Sequence, residues 1–259
     1  MTVKLLNVWQ INLQKSRLAT ANLVVEALNQ SNLPIILISE PHCLRNGQVA
    51  FKAPGLTVLA SGLNPRAALA VPNHVKAYCR HDLSNRDTVV VIVENVNKRT
   101  ICIISMYNDI LLNDPVVGAN IQSATSEAET KHWGLLIGAD CNSHSTLWGC
   151  ESTNARGDQL EDFLVQNSLV VHNTGALPTF QTVRAKSIID ITVTNLDLEQ
   201  RVTNWEVSNK HTFSDHRLVT YKLDFVTVRT YEARNFRKAD WDLFRAVLGP
   251  KSGLNLQDT

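Results

Sequence analysis

Polar residues that could bind a metal ion or move a proton lie at several predicted strand boundaries of this chain. They are, in sequence order, Asn12, Glu40, Tyr107, Asp140 with Asn142 and His144, Asp190, and Asp215 with His216. Taken singly, Asn12, Asn142 and Glu40 are more often turn, cap or surface residues, whereas Asp190 lies between two apolar stretches and is costly to bury unless it is paired. Strand ends on one edge of a layered sheet protein converge on a shared cleft, so we expect these side chains to meet there.

The combination of residue types suits phosphodiester hydrolysis. A glutamate such as Glu40, with amide and carboxylate oxygens beside it, forms the hard oxygen shell that Mg²⁺ prefers, and Mn²⁺ is possible on the same chemistry. The imidazole of His216 could deprotonate water near neutral pH, and a buried Asp190 could fix its tautomer. The Asn142 amide and the Tyr107 hydroxyl could stabilise negative charge on a pentacovalent phosphate.

Composition narrows the function classes. The 259 residues carry a formal net charge of +1, which excludes a polybasic or an acidic disordered protein, so nucleic-acid contact needs a local basic patch. The apolar runs are far shorter than the ~18 residues of a membrane span, and the N-terminal residues do not resemble a signal peptide. Five scattered cysteines without a Cys-x-x-Cys pair favour a reducing compartment over a disulfide framework or a zinc site.

The elements that must position these residues follow from hydrophobic periodicity. Ser16 is a candidate N-cap for a helix to about Gln30, with Leu18, Val25 and Leu28 near one face. The other predicted elements are strands at 3–13, 35–38, 88–93, 100–106, 135–137, 187–194, 202–207 and 218–225, and helices at 114–131 and 156–167. Helices falling between strand pairs predict an α/β domain of mixed sheets with helices outside. We assign the domain to residues 1–225, and 226–259 to a tail or linker with one short helix near 240–248.

The motifs resemble those of the endonuclease/exonuclease/phosphatase superfamily, which includes apurinic endonucleases, pancreatic-type deoxyribonucleases and inositol phosphatases. The matching motifs, in order, are Gln10-Ile11-Asn12, Glu40, Ser105-Met106-Tyr107, Gly138-Ala139-Asp140-Cys141-Asn142, Ile189-Asp190 and Ser214-Asp215-His216. Each motif is weakly specific, whereas the ordered set is strongly specific. The resemblance implies a four-layer α/β sandwich of two mixed β-sheets with outer helices.

A narrower resemblance is to the endonuclease domain of non-LTR (LINE-type) retrotransposons, in their arthropod jockey-like and site-specific group. The runs that carry it are Gln10-Ile11-Asn12-Leu13 followed by Lys15 to Thr20, Asp140 to His144 continuing to Leu147-Trp148-Gly149, Arg156-Gly157-Asp158, and Pro178-Thr179-Phe180 before Asp190. Two departures from the family pattern are Asn108-Asp109 after Tyr107 and Pro41-His42 after Glu40. Neither removes a catalytic group.

The resemblance implies roles at the matching positions. Glu40 would hold the divalent metal ion with Asn12 close by, and Asp215 would help to hold it or lie just behind it. His216 would position and deprotonate the attacking water, with Asp190 orienting its imidazole.

The same comparison of motifs assigns the remaining residues of the site. Asp140 would transfer a proton to or from the nucleophile or the leaving oxygen. Asn142 and Tyr107 would contact the scissile phosphate. His144 occupies the position of this subgroup's second histidine, with a structural or phosphate-facing role.

The implied activity is Mg²⁺-dependent nicking of one strand of duplex DNA, leaving a 3′-hydroxyl that primes reverse transcription. Phosphate contacts would come from Arg184, Lys186, Arg217, Lys15 and Arg17. The implied partners are double-stranded DNA and a reverse transcriptase domain of the same polyprotein, with nuclear action and no membrane.

Two alternatives stay open at this point. The same catalytic set could belong to an abasic-site repair endonuclease or to a phosphatase acting on small phosphoesters. A non-enzymatic alternative is a catalytically inactive module that only binds DNA or protein.

Overall fold

The computed structural model describes residues 5–111 and 115–225 of the chain. Its strands are β1 (Leu5–Asn12), β2 (Ile35–Ser39), β3 (Leu56–Ala60), β4 (Ala67–Pro72), β5 (Ala77–Cys79), β6 (Thr88–Val96), β7 (Arg99–Tyr107), β8 (Gly134–Asp140), β9 (Leu169–Val171), β10 (Phe180–Gln181), β11 (Lys186–Ser187), β12 (Asp190–Asn195), β13 (Val202–Val207) and β14 (Val219–Asp224). Its α-helices are α1 (Arg17–Leu28), α2 (Ala119–Thr130), α3 (Ala155–Gln166) and α4 (Leu196–Glu199), and a 3₁₀ turn spans Thr146–Trp148.

Within the described residues, the strands form two six-stranded sheets and a separate two-stranded hairpin, β10-β11. The first sheet has the order β13-β14-β1-β2-β4-β3, and the second has the order β5-β6-β7-β8-β12-β9. Both sheets are mixed, because β1 runs parallel to β2 and β7 runs parallel to β8, whereas β12 runs antiparallel to β8. At the carboxyl ends of β1, β2, β7 and β8, side chains from both sheets can therefore reach one edge.

Strand alternation assigns each residue to one of two apolar layers. On β1, Leu6 and Val8 pack between the two sheets, whereas Trp9 and Ile11 pack in the cluster that includes α1. A third cluster joins the outer face of the second sheet to residues of α2 and α3. The order of layers is thus α1, first sheet, second sheet, and α2 with α3. The predicted four-layer α/β sandwich is confirmed.

The layer between the sheets changes from apolar to polar toward one end. Along the inward face of β1, Leu6 and Val8 are followed by Gln10 and Asn12, and the last two are only 3% and 1% exposed. Buried polar side chains need partners. This end of the layer is where the candidate residues of the sequence analysis lie.

The helix after β1 forms as predicted, but the predicted buried face is wrong. Ser16 caps α1 by accepting a hydrogen bond from the Ala19 amide at 3.1 Å. Leu18 and Val25 are 58% and 57% exposed, while Ala19, Leu23 and Ala27 are buried. The helix carries apolar residues on both sides, and the side with two alanines packs closely on the sheet.

Other predicted boundaries move by a few residues. The predicted 187–194 strand is two elements, β11 and β12, and the helix predicted from residue 114 begins at Ala119. The hairpin from residues 88–93 and 100–106 is confirmed as β6 and β7. Residues 226–259, with the predicted tail and short helix, lie outside the described residues. Among the described helices, none is long and apolar enough to span a bilayer.

The N-terminus of α3 fixes the loop that follows β8. Asn154 caps the helix, accepting a hydrogen bond from the Gly157 amide at 2.8 Å, and its own amide donates to the His144 carbonyl at 3.0 Å. A Cβ placed on Gly157 would lie 1.9 Å from that carbonyl oxygen. Only glycine therefore allows this contact between helix and loop.

We predict that Gly157→Ala destabilises the protein, although alanine ordinarily favours a helix. The new methyl group forces the 141–149 loop away from α3, and the expected cost is about 2 kcal/mol, measured by urea denaturation. Gln159→Ala, at an exposed position of the same helix, is the matched control and should be neutral. Equal stability of the Gly157→Ala variant and the wild type would contradict this account.

Candidate active site

Strand pairing brings the catalytic candidates of the two sheets to one edge. Asn12 ends β1 and is paired with Ser39, the last residue of β2, so Glu40 follows beside it. Tyr107 ends β7 and is paired with Asp140, the last residue of β8.

The first residue of β12 completes this edge. Asp190 is paired with Asp140 because β12 runs antiparallel to β8. The start of one strand therefore lies beside the end of the other, and two aspartates from distant parts of the sequence become neighbours.

A histidine–carboxylate pair lies at the centre of the site. His216 Nδ1 is 2.8 Å from Asp190 Oδ2, and the two side chains are 4% and 2% exposed. His216 Nε2 is 3.8 Å from Asp140 Oδ2. Asp140, Asp190 and His216 are also a group whose potential ligand atoms all lie within 4.8 Å of one another. This geometry turns Nε2 of the imidazole toward the second carboxylate.

The amide of Asn12 connects the buried group to Glu40. Its Nδ2 donates to Asp140 Oδ2 at 2.7 Å and to Glu40 Oε2 at 3.2 Å. Its Oδ1 accepts a hydrogen bond from the Gln14 amide at 2.7 Å. Asn12 therefore holds two carboxylates near each other, and its own orientation is fixed by the backbone that follows β1.

Glu40 is the most open carboxylate of this group. Its side chain is 16% exposed, and Lys15 Nζ lies 3.2 Å from its Oε1. Its backbone has φ of 44°, in the left-handed region that non-glycine residues rarely adopt. Asn142, on the loop after β8, has the same φ of 44°. Such strain costs free energy and persists where surrounding contacts enforce it, as in functional sites.

The electrostatics of the buried group favour bound protons. Burial lowers the pKa of His216, but the charge and hydrogen bond of Asp190, with the charges of Asp140 and Glu40, raise it overall to about 9. Burial and the charge of Asp190 raise the pKa of Asp140 far above its usual range, although His216 and the Asn12 hydrogen bond oppose this. Without a metal ion, the group therefore stores a proton near neutral pH.

Tyr107 and Asn142 lie beside this group. Burial raises the pKa of the Tyr107 phenol, and the charges of Glu40 and Asp140 raise it further, so the hydroxyl stays protonated and can donate a hydrogen bond. The Asn142 amide nitrogen of the backbone lies 3.3 Å from Asp140 Oδ1, and its side-chain Nδ2 donates to the Asn108 carbonyl at 2.9 Å.

Other predicted site residues lie apart from the buried group. Asp215 is exposed, and its Oδ2 accepts a hydrogen bond from Gln14 Nε2 at 3.1 Å. The His144 side chain is exposed, and its backbone contacts the N-cap of α3. The buried group thus contains neither of these two predicted residues.

The predicted phosphate-binding cations lie around the edge of the site. Arg184 and Lys186 are exposed on the β10-β11 hairpin. Arg217 donates to Gln181 Oε1 at 2.7 Å and to Asn209 Oδ1 at 2.8 Å. Lys15 contacts Glu40, and Arg17, which is exposed, begins α1.

Two residues that support the histidine–carboxylate pair were missed by the sequence analysis. The fully buried Thr179 accepts hydrogen bonds through Oγ1 from the amides of Ile189 and Asp190, at 3.1 and 3.0 Å. The Phe180 ring packs edge-on against the His216 imidazole at 5.0 Å between centroids. The Pro178-Thr179-Phe180 motif marked the position, but sequence spacing gave no indication of these contacts.

A third residue that the sequence analysis missed, Arg66, contacts the Asp109 that departs from the family pattern after Tyr107. Arg66 pairs with both Asp87 and Asp109, and its guanidinium lies 5.1 Å from the centre of the Tyr107 ring. Asp109 thus belongs to an ion-pair network behind Tyr107.

The donor set fits a hard divalent cation. Glu40, Asp140 and Asp190 bring three carboxylates close together, and Asn12 joins the first two through its amide nitrogen. The ammonium group of Lys15 is already drawn to Glu40, which shows that this position attracts positive charge. His216 is engaged with Asp190 and suits proton transfer better than metal binding.

The chain is similar in sequence and in fold to known proteins. Residues 101–220 match the endonuclease-reverse transcriptase family. A 115 kDa protein in the type-1 retrotransposable element R1DM of Drosophila melanogaster is 28% identical over 131 residues, which are 42% of this chain and 12% of that protein. The chain thus spans only a small part of this relative's length.

Solved structures extend the comparison to most of the fold. The endonuclease domain of TRAS1, a telomere-specific non-LTR retrotransposon, is 29% identical with a TM-score of 0.71, over 84% of this chain and 98% of that domain. The AP endonuclease LMAP from Leishmania major shares the fold at 11% identity, with a TM-score of 0.66 over 85% of this chain and 88% of that one.

Over the described residues the chain has the fold of the endonuclease/exonuclease/phosphatase superfamily, a class of phosphodiester-cleaving and phosphoester-cleaving enzymes. Within that class it is related to the endonuclease domains of non-LTR retrotransposons. The resemblance inferred from the motifs is therefore confirmed.

The pKa of His216 predicts how stability depends on pH. The folded-state value of about 9 exceeds the ordinary value of 6.5, so the native state binds a proton more tightly. This contribution to the free energy of unfolding is complete below the ordinary value and is lost as the pH rises through the folded value. The difference in Tm between the wild type and His216→Gln should therefore narrow from about pH 6 to about pH 10. Calorimetry in EDTA measures it, and a difference that widens with pH refutes the assignment.

Proposed function

We propose that this chain is a divalent-metal-dependent endonuclease that nicks one strand of duplex DNA and leaves a 3′-hydroxyl. The observation that carries the proposal is the buried His216–Asp190 pair at 2.8 Å, beside Asp140 and joined through Asn12 to Glu40. A binding module has no need of a buried imidazole between two carboxylates, which is costly to desolvate. The perturbed pKa values of His216 and Asp140 also favour the interpretation of this group as an active site.

The roles of the residues follow from their geometry. Asp190 accepts a hydrogen bond from Nδ1–H of His216 and so holds the proton on Nδ1, which leaves Nε2 to take a proton from the attacking water. Asp140, close to Nε2 and with a raised pKa, can supply or accept a proton at an oxygen of the phosphate. The Tyr107 hydroxyl and the Asn142 amide would donate hydrogen bonds to the phosphate.

Glu40 would hold the metal ion, with Asp140 as a neighbouring oxygen donor and Asn12 close by, its amide nitrogen holding the two carboxylates together. When bound, the ion supplies Lewis-acid stabilisation of charge on the phosphate oxygens. Its charge near His216 also favours the neutral imidazole, which is the form that accepts a proton. We propose Mg²⁺, with Mn²⁺ compatible with the same ligands. We assign Asp215, which is exposed beyond Gln14, at most an indirect role in metal binding.

The DNA would lie across the cations that surround the buried group. Lys15 and Arg17 flank Glu40, while Arg217 and the β10-β11 hairpin with Arg184 and Lys186 flank His216. His144, exposed on the loop after β8, could reach the phosphate from a third direction. Because the net charge of the chain is only +1, local cations of this kind must supply the attraction for DNA.

We propose the retrotransposon setting for this activity. In that setting the 3′-hydroxyl primes reverse transcription by a reverse transcriptase domain of the same polyprotein, and the reaction takes place on nuclear DNA. The support is the match to the endonuclease-reverse transcriptase family and to part of the R1DM protein.

We predict that His216→Gln and Glu40→Gln each reduce nicking of supercoiled plasmid by at least ~100-fold, since each removes a proton-transfer or metal-binding group. His132→Gln is the matched control, because this exposed histidine precedes the start of β8, at the end of the strand away from Asp140. Equal cleavage by the wild type and both variants, or cleavage unaffected by EDTA, would contradict the proposed mechanism.

The substrate class is tested in parallel. The wild-type protein should cut plasmid DNA faster than it cuts a duplex containing one abasic site. It should also cut the plasmid faster than it hydrolyses an inositol phosphate at equal concentration. Turnover of the abasic duplex alone would favour the repair endonuclease, and turnover of the inositol phosphate alone would favour the phosphatase. Binding of DNA without cleavage would favour the inactive module.

The cations of the hairpin should act on affinity. The double variant Arg184→Ala/Lys186→Ala should bind duplex DNA more weakly and lower the slope of log affinity against log salt by roughly 2, with the turnover at saturating DNA nearly unchanged. Lys98→Ala, in the β6-β7 turn at the opposite end of β7 from Tyr107, is the control. An unaltered salt slope in the double variant would show that the hairpin does not contact phosphates.

A further inference from the structure

Gln10 is a buried amide whose contacts cross between the two sheets. It lies on the inward face of β1 and is 3% exposed. Its Nε2 donates to the Ala139 carbonyl at 3.2 Å and to the Ile191 carbonyl at 3.0 Å, both in the second sheet. One side chain of the first sheet is therefore hydrogen-bonded to two strands of the other sheet.

The two acceptors lie directly beside the catalytic aspartates. Ala139 precedes Asp140 on β8, Ile191 follows Asp190 on β12, and the two acceptor residues face each other in the strand pairing. The amide thus attaches β1, two residues before Asn12, to the strand positions that set the backbone of both aspartates.

The surroundings leave the Gln10 amide a single orientation. Thr192 Oγ1 donates to Gln10 Oε1 at 3.1 Å and accepts a hydrogen bond from Trp205 Nε1 at 2.9 Å. Gly138 provides the space, because a Cβ there would lie 2.5 Å from Leu37 Cδ2 and 2.8 Å from Gln10 Oε1. All the hydrogen-bonding groups of the amide are therefore engaged.

Two serines make similar contacts at the same end of the layer. Ser39 Oγ of β2 donates to the Met106 carbonyl of β7 at 3.2 Å, and Ser105 Oγ of β7 donates to the Ile38 carbonyl of β2 at 3.4 Å. Each bond joins one sheet to the other, next to Glu40 or Tyr107. Farther from the site, the layer between the sheets is apolar.

We propose that Gln10 is a positioning residue that sets the separation of the two sheets at their catalytic end. The His216–Asp190 and Asn12–Asp140 contacts both join the first sheet, or the segment leading into it, to the second sheet. Their geometry therefore depends on that separation. Apolar packing is non-directional and tolerates sliding, whereas three hydrogen bonds to one amide fix distance and register together.

The inference rests on the proposed function only for its kinetic consequence. Gln10→Met retains the length of the side chain without its hydrogen bonds, and Gln10→Glu retains an acceptor for Thr192 while losing both donors. We expect each variant to lower kcat for plasmid nicking about 10-fold to 100-fold, because a misplacement of about 1 Å costs this much. KM should stay nearly constant, since Gln10 does not reach the surface.

Val8→Ala is the matched control, since Val8 lies on the same face of β1, two residues from Gln10, and is fully buried. It should lower the Tm but leave kcat unchanged at temperatures where both proteins are folded. A readout without DNA is the downfield proton resonance of His216 Nδ1, assigned by its loss in His216→Gln. In Gln10→Met this resonance should shift or broaden, and in Val8→Ala it should stay in place.

The outcomes separate the two claims. If the wild type does not nick DNA, the proposed function fails, and the resonance alone decides the role of Gln10. If the wild type nicks DNA and Gln10→Met retains its kcat and its resonance, the positioning role is overturned. An equal loss of kcat in Val8→Ala would overturn it as well, because general softening of the core would then explain the effect.

Discussion

The site depends on one buried contact, between the imidazole of His216 and the carboxylate of Asp190. Asp190 opens a strand of the second sheet, whereas His216 lies just before β14 of the first. The contact exists only when the two sheets are stacked. Because a buried charge without its partner is strongly unfavourable, the pair also penalises any other arrangement of the sheets.

This constraint accounts for the unusual polarity of the layer between the sheets. Most of that layer is aliphatic, yet its catalytic end contains Gln10, Asn12, Ser39, Ser105 and Thr192 as buried polar residues. Each has a hydrogen-bond partner in the opposite sheet or in the carboxylate group. Polar contacts of this kind add directional specificity where packing alone would allow several registers.

Much of the fold and of the site could be predicted from the sequence. Apolar runs ending in polar residues located Asn12, Glu40 and Asp140, because strand ends are visible in a single sequence, whereas Asp190 stood out as a carboxylate between two apolar stretches. The buried face of α1 was mispredicted, since both of its sides are apolar.

Apart from the His216–Asp190 pair, which the motif resemblance implied, the contacts between distant residues were beyond sequence reasoning. Periodicity says which face a residue occupies, but not which carbonyl it meets across a layer, so Gln10 and Thr179 received no role. The exposure of Asp215 and His144 depends on loop paths, which periodicity does not determine.

The β10-β11 hairpin has a different relation to the fold. It pairs with neither sheet, and it is attached by backbone hydrogen bonds from Gln181 to Asp215 and from Arg217 to Thr179. Val183 at its tip is fully exposed. Tip residues can therefore change through evolution without disturbing the His216–Asp190 pair, so under the proposed function the sequence preference and the catalytic chemistry can diversify as separate modules.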